Sequence, residues 1–224
     1  MLKGRISEVF DSVQGEGIYL GEKQIFVRFF GCNLSCKFCD TKILRFLEYE
    51  PQELFDELKL YQDDYHSVSF TGGEPLLQKD FLKEILQLTA KGGYKNYLET
   101  NGTLPGELEA VIDYLDFVAM DLKLPSSAEM GNLWGFHRKF LQIASKKEVF
   151  LKAIICASTK EEDLRDALNL IKGLNRSAIL VLQPNSQDNP LQMKDKLDNF
   201  KEICTAENIT ACIIPQIHKI AGVK

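Results

Sequence analysis

The stretch from Phe30 to Thr41 reads FGCNLSCKFCDT and carries Cys32, Cys36 and Cys39 as CxxxCxxC. A structural zinc site takes four protein ligands, commonly from two close Cys or His pairs. Neither the other three cysteines nor His66, His137 and His218 supplies an adjacent second pair. Three thiolates on a cubane iron–sulfur cluster leave one iron without a protein ligand, and an open position is what a catalytic centre keeps. A second stretch, SFTGGEPLLQ, sets Gly73 and Glu74 after a strand-like run. Glycine lets a ligand approach the backbone, and a carboxylate accepts hydrogen bonds from an ammonium. In SVQGEG, Gln14 is both donor and acceptor and Glu16 is an acceptor, while Arg28 can grip a carboxylate with its planar fork.

Something must hold these residues together. Short runs rich in β-branched and aromatic residues (RISEVF, QIFVRFFG, SVSFTGG, NYLETNG, DFVAMDLKL, EVFLKAIIC, AILVLQPN, ITACIIP) read as strands. Amphipathic stretches between most of them read as helices: PQELFDELKLYQD, KDFLKEILQLTAKGG, GELEAVIDYL, KEEDLRDALNLIKGL and NPLQMKDKLDNFKEICTAEN. Alternating strands and helices predict an α/β sheet or partial barrel of mostly parallel strands, with active groups gathered at the strands' carboxyl ends. GCNLSCKFCDT, TGGEP, ETNG, DLKLPSS and QPNSQDN each follow directly on such a strand. The stretch PSSAEMGNLWGFHRK from Pro125 reads as an irregular, mobile loop with Trp134 as loop packing.

The 224 residues, 45% hydrophobic and 26% charged, fit one globular domain over 1–224. No long apolar run or leader is visible, so a cytoplasmic protein with no membrane span is expected. A net charge of −5 without a basic run argues against direct nucleic-acid binding and for a small-molecule substrate. Cys156, Cys204 and Cys212 sit in apolar patterns and read as buried small hydrophobes.

The CxxxCxxC loop, with aromatic Phe38 before its last cysteine, followed by GGEP and YLETNGT, resembles the radical S-adenosylmethionine (SAM) superfamily. The N-terminal run EVFDSVQGEGIYLGEKQIFVRFFGCNLSCKFCDT and the likeness through to PQIHKIAGVK resemble the 7-carboxy-7-deazaguanine synthases within it. That resemblance implies an incomplete TIM-like barrel with a 4Fe–4S cluster on Cys32, Cys36 and Cys39, whose fourth iron takes the amino and carboxylate groups of SAM. It implies reductive cleavage of SAM to an adenosyl radical, ring contraction of 6-carboxy-5,6,7,8-tetrahydropterin with loss of ammonia, and a place in queuosine and related deazapurine biosynthesis. Phe38, Cys39, Asp40, Gly73, Glu74, Gly102, Asp121, Leu122, Lys123 and Gln183-Pro184-Asn185-Ser186 would contact SAM. Val13, Gln14, Gly15, Glu16, Arg28, Thr100, His218 and the Lys224 carboxylate would face the substrate, and Thr41 would bind Mg²⁺. A homodimer and an external flavodoxin- or ferredoxin-type electron donor are implied as well.

Each of these residues has a plainer reading: QGEG as a turn, Arg28 as a surface ion-pair partner, Thr41 as a helix N-cap, His218 as an exposed tail residue. Asp121-Leu122-Lys123 also departs from the Ser-Pro-Lys of many family members and looks somewhat like the Asp-x-Lys of activating enzymes for glycyl-radical proteins. That activase is the alternative function; a structural module holding a cluster or zinc is a third.

Overall fold

The period-2 patterns condense into one nine-stranded sheet in the computed structural model, which describes residues 2–39, 44–175, 177–217 and 222. Its strands are β1 (Gly4–Val13), β2 (Lys23–Phe29), β3 (Leu47–Tyr49), β4 (Ser67–Gly72), β5 (Asn96–Thr100), β6 (Phe117–Asp121), β7 (Glu148–Ile155), β8 (Leu180–Pro184) and β9 (Ala211–Ile213), in the order β3-β1-β2-β4-β5-β6-β7-β8-β9. Every pairing from β2 to β9 is parallel, whereas β1 runs antiparallel to both β2 and β3. The order has two ends, so the sheet does not close: it is the partial barrel expected. β5 and β7 are separated by β6, a span of roughly 9–10 Å between backbones. Yet the Tyr97 and Phe150 rings on them approach to 6.4 Å between centroids, because the sheet curls toward that face.

Alternation along the strands sorts the two faces. Ile25, Val27 and Phe29 of β2, Val68 and Phe70 of β4, Leu98 of β5, Val118 and Met120 of β6, and Leu180 and Leu182 of β8 join one aliphatic core with the helices. Helices α1 (Pro51–Leu58), α2 (Lys79–Lys91), α3 (Pro105–Glu109), α4 (Pro125–Ala128), α5 (Trp134–Ala144), α6 (Glu161–Leu174) and α7 (Pro190–Ala206) mostly lie between consecutive strands. The buried Leu164, Ala167, Leu168 and Ile171 of α6 follow helical spacing, and each fully buried Leu or Ile contributes about 1.5–3 kcal/mol relative to exposure. The opposite face holds a small cluster of Tyr97, Phe117, Ala119, Phe150 and Val181, with Ile18 and Tyr19 packed against it. Beyond that cluster, toward the carboxyl ends of the strands, the same face turns polar.

Several expectations need correcting. The segment from Pro125 is not a loop: Pro125 begins α4, which ends at Glu129 in the left-handed region (φ 52°), and the Asn132 side chain accepts from the Trp134 backbone N–H at 2.8 Å as α5 begins. The reading stopped short of the apolar half of α5, where Phe140, Leu141 and Ala144 pack into the core; Trp134 belongs to this helix. GELEAVIDYL divides into α3 and a 3₁₀ turn at Ile112–Tyr114, and α1 ends at Leu58 instead of continuing through Asp63. The edge strand β3 carried no recognisable pattern because it has only three residues. Cys156 and Cys204 are buried as expected, but Cys212 is half-buried. Among the described residues, no helix is long and apolar enough to cross a membrane.

Candidate active site

A cavity of about 1010 Å³ opens at the carboxyl ends of β4–β8, with the cysteine loop on one side and the turn after β1 on the other. The cysteine loop leaves β2 and is tied to the turn after β4: Gly73 N–H donates to the Phe29 carbonyl at 3.0 Å and Glu74 N–H to the Gly31 carbonyl at 2.8 Å. A Cβ on Gly73 would stand 1.9 Å from the Gly31 carbonyl oxygen. Glycine here admits the cysteine loop itself as much as any ligand.

Cys32, Cys36 and Cys39 all line the cavity and none is in a disulfide. Burial raises the Cys36 thiol pKa, and the nearby Lys123 ammonium acts against that rise. The loop is steadied by Lys37 N–H to the Ala128 carbonyl (3.2 Å), by the Lys37–Glu129 ion pair and by Lys123 Nζ, 5.3 Å from the Phe38 ring centroid. Among the described residues, no three His, Cys, Asp or Glu side chains converge on a point as a single metal ion requires. A cubane takes one thiolate per iron, so three thiols spaced along one wall suit it better than they suit zinc.

Opposite lies a connected layer of charge. Lys152 of β7 pairs with Glu16 at 2.5 Å and with Asp121 at 3.4 Å, and Asp121 pairs with Lys123 at 2.6 Å. Burial pushes the Glu16 and Asp121 carboxyls up, but their lysine partners prevail and hold both below the usual carboxylate range. Lys152 is likewise penalised by burial, yet its carboxylate neighbours keep it well above an ordinary lysine and therefore charged. The Gln216 amide donates to Glu16 at 2.7 Å and Ile217 N–H to the Gly15 carbonyl at 3.0 Å, docking these two residues on this turn. Gln14 donates to both Gln24 (3.0 Å) and Glu99 (2.8 Å), and Arg28 donates to Glu8 at 3.1 Å.

Gln183 is fully buried in the cavity wall, and neither end of its amide has a hydrogen-bond partner. Such a group is satisfied by a ligand with its own donors and acceptors, as the amino-acid and nucleoside parts of SAM are. The residues expected to contact SAM divide here. Phe38, Cys39, Gly73, Asp121, Lys123, Gln183 and Asn185 line the cavity; Glu74, Gly102, Leu122, Pro184 and Ser186 do not.

Those five lie off the cavity wall. Glu74 is wholly buried behind the wall, its oxygens accepting from Leu76 N–H (3.1 Å), Asn101 N–H (2.7 Å) and the Thr100 hydroxyl (3.0 Å). Burial pushes its carboxyl up to about 7 against those bonds. Leu122 points into the core. Gly102, at φ 70°, lets the chain turn over Met120 and His137, whose atoms a Cβ would meet at 2.8 and 3.3 Å. His137 is buried, the Asn101 backbone comes near without bonding it, and burial takes its pKa down to about 4. Pro184 and Ser186 lie at and just past the end of β8, beside Asn185.

Of the expected substrate residues, Val13, Gln14, Gly15, Glu16, Arg28 and Thr100 share the cavity. Asp40, Thr41, His218 and Lys224 lie outside the described residues. Sequence reading missed Glu99, Lys152 and Gln216. The first two were within reach, because each falls on the same alternating face as an aromatic residue two positions earlier, Tyr97 and Phe150.

The sequence signature of the radical SAM superfamily matches residues 26–197. A 7-carboxy-7-deazaguanine synthase of Geobacter sulfurreducens is 34% identical over 97% of this chain and 96% of its own. That of Archaeoglobus fulgidus is 30% identical over the whole of both. Among solved structures, QueE from Escherichia coli superposes with a TM-score of 0.66 over 95% of this chain and 94% of its own, at 22% identity. A domain of pyruvate-formate lyase-activating enzyme from Bacteroides vulgatus reaches 0.56 over 66% of this chain and 98% of its own, at 19% identity; these two likenesses speak to fold alone. On the strength of its near-full-length relatives, the chain belongs to the 7-carboxy-7-deazaguanine synthase family of the radical SAM superfamily.

Proposed function

We propose that this enzyme converts 6-carboxy-5,6,7,8-tetrahydropterin to 7-carboxy-7-deazaguanine with loss of ammonia, in queuosine and related 7-deazapurine biosynthesis. The observation that carries the reading is one cavity with three thiols outside any disulfide on one wall and a preformed hydrogen-bonding layer on the other, in a chain whose relatives of that name match nearly all of its length. Radical SAM membership implies a 4Fe–4S cluster and SAM, which together supply a carbon radical able to take hydrogen from an unactivated position.

In this reading Cys32, Cys36 and Cys39 hold the cluster, and Gln183, Asn185 and Lys123 orient SAM. Arg28 takes the substrate carboxylate through charge-assisted hydrogen bonds, while Glu16, kept ionised by Lys152, accepts from ring N–H groups. The aromatic cluster beneath the polar layer closes the cavity floor to water. Thr41 would offer its hydroxyl to Mg²⁺, a hard cation that prefers oxygen. A homodimer, a flavodoxin- or ferredoxin-type donor and a cytoplasmic location complete the reading.

The glycyl-radical activase is less supported: its structural relative shares the fold only, and a peptide substrate gives the Gln14–Glu16 turn and Arg28 no task. The test is an anaerobic assay of cluster-loaded protein with SAM, Mg²⁺, reductant and the tetrahydropterin. 7-Carboxy-7-deazaguanine is the expected product, and its absence overturns the proposal.

A further inference from the structure

In β1, Ile6 and Val9 both pack into the aliphatic core although they are three residues apart, which strict alternation forbids. The register with β2 shifts between Ile6 and Glu8, so one extra residue is taken up there as a bulge. Without that shift Glu8 would share the face of Ile6. With it, Glu8 stands opposite Arg28 and Phe10 opposite Phe26, and all four line the cavity. Ser7, inside the bulge, lines it too, and its hydroxyl is buried without a hydrogen-bond partner.

Two contacts hold the Arg28 guanidinium. Its Nε–H donates to Glu8 Oε2 at 3.1 Å, and its central carbon lies 5.6 Å from the centroid of the Phe10 ring, which in turn stacks on Phe26 at 5.2 Å. The ion pair is partly exposed, so the attraction by itself adds little to stability; its consequence is orientation. The N–H groups on Nη1 and Nη2 make no hydrogen bond among the described residues. With one edge and one face of the guanidinium occupied, the end formed by Nη1 and Nη2 is left to meet a ligand. That end matches a second carboxylate through two parallel hydrogen bonds.

Resting on the reading that Arg28 takes the substrate carboxylate, we infer that Glu8 and Phe10 are its positioning residues. The bulge brings Glu8 to the Nε edge and Phe10 to the face, so that the guanidinium meets the carboxylate end-on through Nη1 and Nη2. Glu8 acts by geometry and against its own charge, which repels the incoming anion.

Equilibrium binding to anaerobic, cluster-loaded protein tests this with 6-carboxypterin and pterin, two stable probes that differ only in the carboxylate. The wild type should prefer the carboxylated probe by roughly 10- to 100-fold, the worth of hydrogen bonds between charged groups. Glu8→Gln keeps an oxygen for the Nε–H and removes the repelling charge, so the preference should hold or rise. Glu8→Ala removes the anchor and should cut it by roughly 5- to 10-fold. Phe10→Leu should cut it by roughly 2- to 5-fold, as for a partly exposed cation–π contact, and serves if Glu8→Ala folds poorly. Iron content and SAM binding should stay at wild-type levels in all three variants. A preference that rises in Glu8→Ala makes Glu8 a competitor for Arg28 and overturns the inference, as does an equal loss in Glu8→Ala and Glu8→Gln, or a wild-type preference kept in both Glu8→Ala and Phe10→Leu. A wild type that binds the two probes equally overturns the carboxylate clamp, and one that binds neither overturns the proposed function; the roles of Glu8 and Phe10 fall in either case.

Discussion

The cysteine loop and the polar layer face each other across one cavity, yet opposite means hold them. Cys32 and Cys39 are exposed, and the loop is fastened by backbone bonds at Gly31 and Lys37 and by the side chains of Asn33 and Lys37. Glu16, Lys152, Asp121 and Lys123 form a largely buried chain of alternating charge, and Gln14, Glu99 and Thr71 interlock beside it. One wall presents thiols for a metal centre to span; the other is a network of charges already paired within the chain. The difference follows from desolvation: buried charges are tolerated only when paired in the folded state, whereas exposed thiols cost nothing while they await metal.

The largest effect should come from the wall that matters least to folding. Cys36→Ser should drop anaerobically reconstituted iron from about four per chain to near zero. Urea unfolding of its metal-free form should shift by less than about 0.5 kcal/mol, as for an ordinary change away from the core. A large loss of stability there would erase the contrast between the walls.

Lys152→Met should do the reverse. It strands Glu16 and Asp121 without their shared cation, at a cost of about 3–5 kcal/mol, while iron loading persists. Lys152→Arg should recover part of the stability because the charge returns. Urea midpoints and iron content, measured together on both variants, separate the walls.

The smallest effect sharpens the boundary between the two regions, where the turn at Thr100–Gly102 lies between Glu74 and His137. With its pKa raised from 4.5 to about 7, Glu74 makes the folded protein hold a proton that the unfolded chain has released. Stability from this group is full below pH 4.5 and declines as pH rises toward 7. His137, lowered from 6.5 to about 4, refuses a proton that the unfolded chain accepts, so its contribution is full above pH 6.5 and declines as pH falls toward 4. Each slope amounts to about 3 kcal/mol across its window. The two oppose one another, and the wild type should be nearly flat there. Glu74→Gln should leave stability rising with pH across this range, and His137→Leu should leave it falling; chemical unfolding at several pH values reads both slopes.

Much of this was legible in the residues. All eight strands expected from alternation are present, and the cysteines, Gly73, Thr100, Lys123 and Gln183 lie at or just past the carboxyl ends of five of them. Motif spacing identified Cys32, Cys36 and Cys39 because ligand geometry acts over a few residues. Glu74 and Leu122 sit inside motif strings yet face away from the cavity, since a string does not say which way a side chain turns at the end of a strand. Lys152 looked like one more charge in a strand, because its partners Glu16 and Asp121 lie far off in the chain.

By itself, then, the sequence determined the strand and helix alternation, the thiol spacing and the kind of chemistry those thiols support, all of which depend on neighbours within a few residues. Only the tertiary structure decided that Gln14 spends its amide on Gln24 and Glu99, that Lys152 joins Glu16 to Asp121, and that Gln183 is left unsatisfied in the cavity wall. Burial and hydrogen bonding of a polar group depend on which distant strands curl beside it, and nothing local in the chain encodes that.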